Sequence, residues 1–253
     1  MGPIPRGLIK ICGGCTGESG PEPEPVPAEV KHGLLYNWYA ATDAREITSI
    51  GWHIPTRQKF YDLMIFADND GLPNNNTAGI ELKDIDYWEL PNVGINSLGF
   101  NARGSGRRVT GGVFALLLKS ISYYTITEQT SNPNNVHLAT LYSTSYGLPW
   151  INTMNIGDND DYIHDVALKN IGASIRPLKN STTLSHGESG TYTDPSGITY
   201  RTICIGTQEW VADNIGTRHY RNGDPIPEVT NAGDWVALVT GALCAYNNDW
   251  NNV

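Results

Sequence analysis

Apolar residues at Phe60, Leu63, Met64 and Ala67 recur at the spacing of one helix face, and Thr56 stands where an N-cap belongs. The spacing predicts an amphipathic helix over 56–67. Shorter runs rich in β-branched and aromatic residues predict strands at 113–119, 122–128, 163–168, 172–178, 199–205, 209–211 and 235–243. The aromatic stretch 33–41 fits either a strand or a helix. Asn222-Gly223-Asp224 and Pro225-Ile226-Pro227 mark turns, and 181–190 reads as a polar linker.

The first thirty residues follow another pattern. A short apolar run is broken by Lys10, a glycine hinge covers 13–20, and 21–29 alternate proline with other residues, which keeps a chain extended and stiff. The expected layout is an anchoring peg and hinge (1–20), a spacer (21–30), a core (31–180), a linker (181–189) and a segment completing the core (190–253). Leu8, Ile9, Ile11, Cys12 and Cys15 would hold the peg to a larger particle; the alternative is a disordered tail. The apolar run is too short for an export signal, and none approaches a membrane span. Folding in a reducing cytoplasm, without membrane insertion, is the expectation.

Composition narrows the class. The 253 residues carry a formal charge of −9, only 17% charged side chains, 7 Trp and 13 Tyr, which excludes a disordered tail or coiled coil. Arg103, Arg107 and Arg108 form the nearest basic cluster, in an expected glycine-rich loop, and are too few to suggest nucleic-acid binding. The 23 Asn predict many loops, because Asn tolerates left-handed backbone and bonds its own turn.

Candidate chemistry is sparse. Cys12 and Cys15 form half of a zinc or redox motif without a second half. Cys204 and Cys244 fall in apolar settings expected to bury them as inert thiols. His53 lies in a turn motif and is expected to be packed and hydrogen-bonded. Ser185-His186 and His164-Asp165 lack a third partner for a triad. The acidic runs 68–71 and 158–161 lack the spaced glutamate of a calcium loop and read as turns. No metal and no cofactor are expected. A ligand face is expected over 129–160, where Asn132, Asn134, Asn135, His137, Tyr142, Tyr146, Trp150, Asn152 and Asn155 gather. Tyr, Trp and Asn suit recognition because they offer rigid contact area and adaptable hydrogen bonds. The competing reading places Tyr142 and Trp150 in the core.

Several motifs carry a resemblance. Gly33-Leu-Leu-Tyr-Asn-Trp-Tyr-Ala-Ala41, Gly51-Trp-His-Ile-Pro-Thr56, Ser122-Tyr-Tyr-Thr-Ile-Thr-Glu128 and Gly172-Ala-Ser-Ile-Arg-Pro-Leu178 resemble successive motifs of the Fibrobacter succinogenes major paralogous domain family. Residues 200–215, 220–227 and Cys244-Ala-Tyr-Asn-Asn-Asp249 are similar to that family's opening, yet here they come last. The order implies a circular permutation within one domain, or a swap in which 190–253 completes a neighbouring copy. The resemblance also implies an α+β, C-type lectin-like fold of mixed and antiparallel strands, few helices and long loops after the extended arm. A cysteine pair often found in the family is replaced here, at Ser49-Ile50 and Pro177. The implied function is a non-enzymatic virion protein, a phage head- or tail-associated fibre whose lectin-like module adheres to host-surface glycan or protein. Its expected partners are other virion proteins, through the arm, and further copies of the chain. The alternatives are a structural linker that joins subunits by swapping, a bacterial surface adhesin, and an enzyme of the formylglycine-generating type.

Overall fold

The computed structural model describes residues 32–68, 78–90, 94–143 and 166–253. The stretch 33–41 resolves into both of its candidate states. Leu35–Tyr36 forms strand β1 and Trp38–Ala41 the one-turn helix α1, with Asn37 between them accepting from the Ala40 amide at 2.9 Å as N-cap. After β2 (Trp52–His53), helix α2 (Arg57–Ala67) starts at the predicted cap: Thr56 accepts from the Lys59 amide. Its buried stripe is Phe60, Leu63, Met64 and Ala67, as the spacing requires. Asp68 then accepts from the Ala78 amide at 2.7 Å, at the start of α3 (Ala78–Leu82).

Strands β3 (Ser105–Arg108), β4 (Phe114–Leu117), β5 (Ser120–Glu128), β6 (Asn135–Tyr142) and β7 (Val166–Leu168) form one sheet in the order β4-β3-β5-β6-β7. Its pairs are antiparallel except β3 with β5. Strands β8 (Leu178–Lys179), β9 (Ser189–Thr193), β10 (Thr199–Ile205) and β11 (Gln208–Val211) join β2 in a second sheet, ordered β2-β8-β11-β10-β9. After α4 (Ala232–Val236), β12 (Leu243–Cys244) pairs with β1. The described chain is thus mostly β with a few short helices.

Four expectations change. Residues 235–243 do not form a strand: Asn231 caps α4 by accepting from the Asp234 amide, and only Leu243 and Cys244 reach extended pairing. Local capping overrides the apolar run there, burying Trp235 while Val239 stays exposed. The arginine-bearing stretch is strand β3 rather than a loop. Gly106 allows it, since a Cβ there would lie 2.7 Å from the Ala115 carbonyl and the Tyr246 ring, at a φ of +64°. Residues 172–174 make single bridges to Arg108, Tyr36 and Tyr123, so they cross between sheets and do not form one long strand. Finally, the polar linker ends early, because β9 begins at Ser189.

Each of the two main apolar clusters draws from both sides of that linker. Leu34, Tyr36 and Trp52 pack with Tyr192, Tyr200 and Val211; Phe60, Leu63 and Phe100 pack with Ile203, Ile205 and Trp210. Two fully buried arginines tie the same parts together. Arg176 donates to the carbonyls of Phe100, Asn101 and Val211, to the Tyr123 hydroxyl (2.9 Å) and to Asn214 Oδ1 (2.7 Å). Arg108 donates to the carbonyls of Gly112 (2.8 Å), Val229 (2.6 Å) and Thr230 (2.7 Å), with Phe114 and Trp235 against its guanidinium. Glu209 is a buried anion in the second sheet. Burial pulls its carboxyl upward, but Lys179 (2.9 Å), Thr182 and Thr202 (2.9 Å) outweigh that pull and hold it below its usual range.

Replacing Arg176 with Met should lower unfolding stability by about 3 kcal/mol or more, because it orphans buried acceptors from three chain segments. Arg176→Lys should lose most of the same stability, since three donors on one nitrogen cannot reproduce the fork. Denaturant midpoints check both. A depressed carboxyl contributes stability that is present above the unfolded value and lost as pH falls through the folded one. Glu209→Gln should therefore cost about 1–3 kcal/mol at neutral pH. That difference should shrink as the denaturant titrations are repeated at falling pH below 4.5.

Candidate functional site

The turn joining β5 to β6 displays three of the asparagines expected to face a ligand. It is built from its own polar groups. Asn132 Oδ1 accepts from the Asn134 amide at 3.0 Å, the Asn132 carbonyl from the Asn135 amide, and Asn135 Nδ2 donates to Gln129 Oε1 at 2.9 Å. Asn134 is exposed, and Asn132 and Asn135 are partly so.

His137 and Tyr142 are brought elsewhere. Both sit on β6, 5% and 8% exposed, so they belong to the buried interior and not to an open face. Alternation along a strand and covering layers on both sides leave β6 buried from Val136 to Tyr142. Tyr146, Trp150, Asn152 and Asn155 lie outside the described residues, as do the arm residues Leu8, Ile9, Ile11, Cys12 and Cys15 and the acidic run 158–161.

Beside the asparagine turn is a cavity of about 310 Å3 between the β3–β4 hairpin and β7, lined by Arg107, Thr110, Asn135 and Leu168 among others. Arg107, Thr110 and Leu168 were not among the expected site residues. The glycine-rich context made Arg107 read as part of a loop cluster; its neighbours Arg103 and Arg108 are buried and bonded internally. A second cavity, of about 280 Å3, lies between α2 and β8 and is lined by His53, Lys59, Asp62, Phe66, Lys179 and Gln208. His53 bonds Asn180 Oδ1 there at 2.6 Å, so it is hydrogen-bonded as expected, but it is half-buried at the cavity wall and not packed inside.

The described thiols are sealed. Cys204 and Cys244 are buried free thiols. Burial, helped by the charges of Glu209 and Glu188, raises the Cys204 thiol, and burial pushes Cys244 up to about 11. Cys204 Sγ donates to the Leu184 carbonyl at 3.3 Å. Ser196 Oγ lies 3.0 Å from His219 Nδ1, the spacing of a nucleophile and its base, but it also accepts from the Arg218 amide at 2.7 Å and meets the Thr217 hydroxyl. No carboxylate is bonded to His219 among the described residues, so the pair fastens a turn. Among the described residues no three metal-ligating side chains cluster, and no helix is long and apolar enough to cross a membrane.

These features define a β-rich framework with most of its described ions bonded internally and an asparagine turn at its surface. Residues 22–179, more than half of the chain, match the Fibrobacter succinogenes major domain, and the protein belongs to that family. Neither the curated proteins nor the solved structures yielded a match.

With Cys12 and Cys15 replaced by Ser, the native protein should take up almost no iodoacetamide at pH 8, and two equivalents after unfolding. Mass spectrometry reads the difference; rapid native alkylation would show an accessible thiol.

Proposed function

We propose that the chain is a non-enzymatic display and adhesion module of a virion fibre, carrying a C-type lectin-like domain on an extended arm. The observation that carries this reading is the use made of the reactive groups. Both described thiols and the buried ions serve the framework, whereas the asparagine turn and the cavity beside it stay open. An enzyme of the formylglycine-generating type needs reactive cysteines in a cleft, and raised, buried thiols argue against that use. The virion setting rests on the apolar run, glycine hinge and proline spacer that precede the domain, which suit attachment to a larger particle.

A circular permutation fits the order of the motifs. The His32 amide donates to the Asn252 carbonyl at 3.1 Å, so the segment entering the core and the segment ending it lie side by side. The linker from β8 to β9 crosses β11 and β10, three strand spacings or about 14 Å, while nine residues reach about 30 Å. Packing within one chain therefore needs little reach.

Light scattering on the purified full chain should give one compact species of monomer or small closed oligomer; open-ended chains would favour swapping of 190–253. The intact protein should adhere to host cells or their isolated polysaccharide. An Asn132→Ala, Asn134→Ala, Trp150→Ala variant should lose roughly tenfold or more in affinity. Absence of any cell or glycan binding by the intact protein would remove the adhesion reading.

A further inference from the structure

Alternation along β3 sends successive side chains to opposite faces. Arg108 points into the carbonyls of Val229 and Thr230, which leaves Arg107 on the other side, at the cavity beside the asparagine turn. There its Nε is buried and meets no hydrogen-bond partner, and among the described residues no carboxylate bonds to the guanidinium. Arg176 also keeps a buried, unbonded Nε, but its two terminal nitrogens are fully engaged by the chain, while Arg103 pairs with Asp84 at 3.0 Å and Arg45 with Asp43 at 2.8 Å. A cation with a buried donor left unbonded is expensive to keep unless something arrives to meet it.

The lining says what that something is. Among the described residues, the lining holds one cation and no acidic side chain. The nearby Lys169 is already bonded to Glu128 at 2.6 Å, so the site offers a single positive charge. A guanidinium fork matches a carboxylate in a two-point contact. Thr110 presents a hydroxyl, and Asn135, whose amide nitrogen is engaged by Gln129, keeps its carbonyl oxygen as an acceptor for a ligand hydroxyl. Val109, Leu168 and Ile171 supply an apolar wall against which the C–H face of a ring can lie. One charge, hydroxyl partners and an apolar wall, in a space of about 310 Å3, suit a singly charged sugar acid better than a phosphate.

We propose that the Arg107 cavity binds a carboxylate-bearing sugar residue, of the uronic or sialic acid kind, at the tip or branch of a surface polysaccharide. This rests on the adhesion reading and gives it a ligand class. Arg107 anchors the carboxylate, Thr110 and Asn135 orient the ring hydroxyls, and the wall of Val109, Leu168 and Ile171 covers one ring face.

The test titrates the full chain with methyl glucuronide and N-acetylneuraminic acid, with neutral methyl glucoside, acetate and inorganic phosphate as comparators, by calorimetry or ligand-observed NMR. At least one acidic sugar should bind, and methyl glucoside should bind roughly tenfold more weakly or not at all. Arg107→Gln should weaken the acidic sugar by roughly tenfold or more, and Arg107→Lys by less, with the melting temperature of both variants unchanged because no internal partner is lost. Unchanged binding in Arg107→Gln, or no binding of either acidic sugar, would overturn the proposal. Acetate or phosphate binding as tightly as the sugar acids would overturn the sugar assignment. Adhesion of the intact protein to cells without acidic-sugar binding would sink this site and leave the adhesion reading standing. Binding at Arg107 without adhesion would do the reverse.

Discussion

The guanidinium of Arg176 is the point on which the rest of the structure turns. It is fully buried and bonds to no carboxylate; its hydrogen bonds go to dipoles, namely three backbone carbonyls, one phenol and one amide oxygen. Burial lowers its proton affinity, Tyr123 and Asp213 favour the charged form, and Arg103 opposes it. Asp213 also lies 3.7 Å from Arg103, so one carboxylate serves as counter-charge to both cations. The Arg176 Nε is buried without a partner, so the arrangement depends on those five acceptors being present and aimed correctly. Those acceptors come from 100–101, 123 and 211–214, and Phe100 and Tyr123 also lie against the guanidinium. A single side chain therefore joins the two sheets and the segment after the linker, in addition to the apolar clusters they share.

Arg108 repeats the device at the other end of β3, gripping carbonyls at 229–230 between the rings of Phe114 and Trp235. Trp235 in turn donates to the Asn170 carbonyl at 2.6 Å, which carries the connection to the turn after β7. Because strand geometry alternates, fastening Arg108 inward determines where Arg107 goes. Framework and candidate binding group are thus neighbours on one strand, one satisfied by the fold and the other left to the cavity. Low overall charge is consistent with this economy, since many of the described ionic groups are bonded inside the chain.

Much of the framework was legible in the sequence where one signal dominated. The 3.6-residue stripe and Thr56 cap located α2, and β10 begins and ends where its β-branched run does. The family assignment was legible too, because its motifs fall on elements such as Asn37, Trp52 and Arg176 whose roles are structural. Failure came where two signals competed. At 235–243 the apolar run suggested a strand, but Asn231 capped a helix before it. At 103–108 glycines suggested a loop, whereas Gly106 serves close strand packing. Within 129–142 composition alone could not separate an exposed asparagine turn from the buried strand that follows it, and so His137 and Tyr142 were placed with the ligand face. Arg107 was missed for a related reason: an unpaired cation is a property of three-dimensional neighbours and leaves no mark in local sequence.

The division of the core explains why the linker can be short and polar without separating two folding units. If 190–253 were removed, Phe60, Leu63 and Phe100 would lose Trp210 and Ile203, and the β2–β8 edge would lose its partner β11. If the earlier part were removed, Tyr192, Tyr200 and Trp210 would have little to pack against. Neither part keeps a covered apolar core, and Arg176 would retain only some of its acceptors in either. The two pieces must therefore order together, which makes their arrangement along the chain secondary to their arrangement in space. A binding group mounted on such a unit inherits its rigidity, because moving Arg107 means moving the strand that Arg108 holds down.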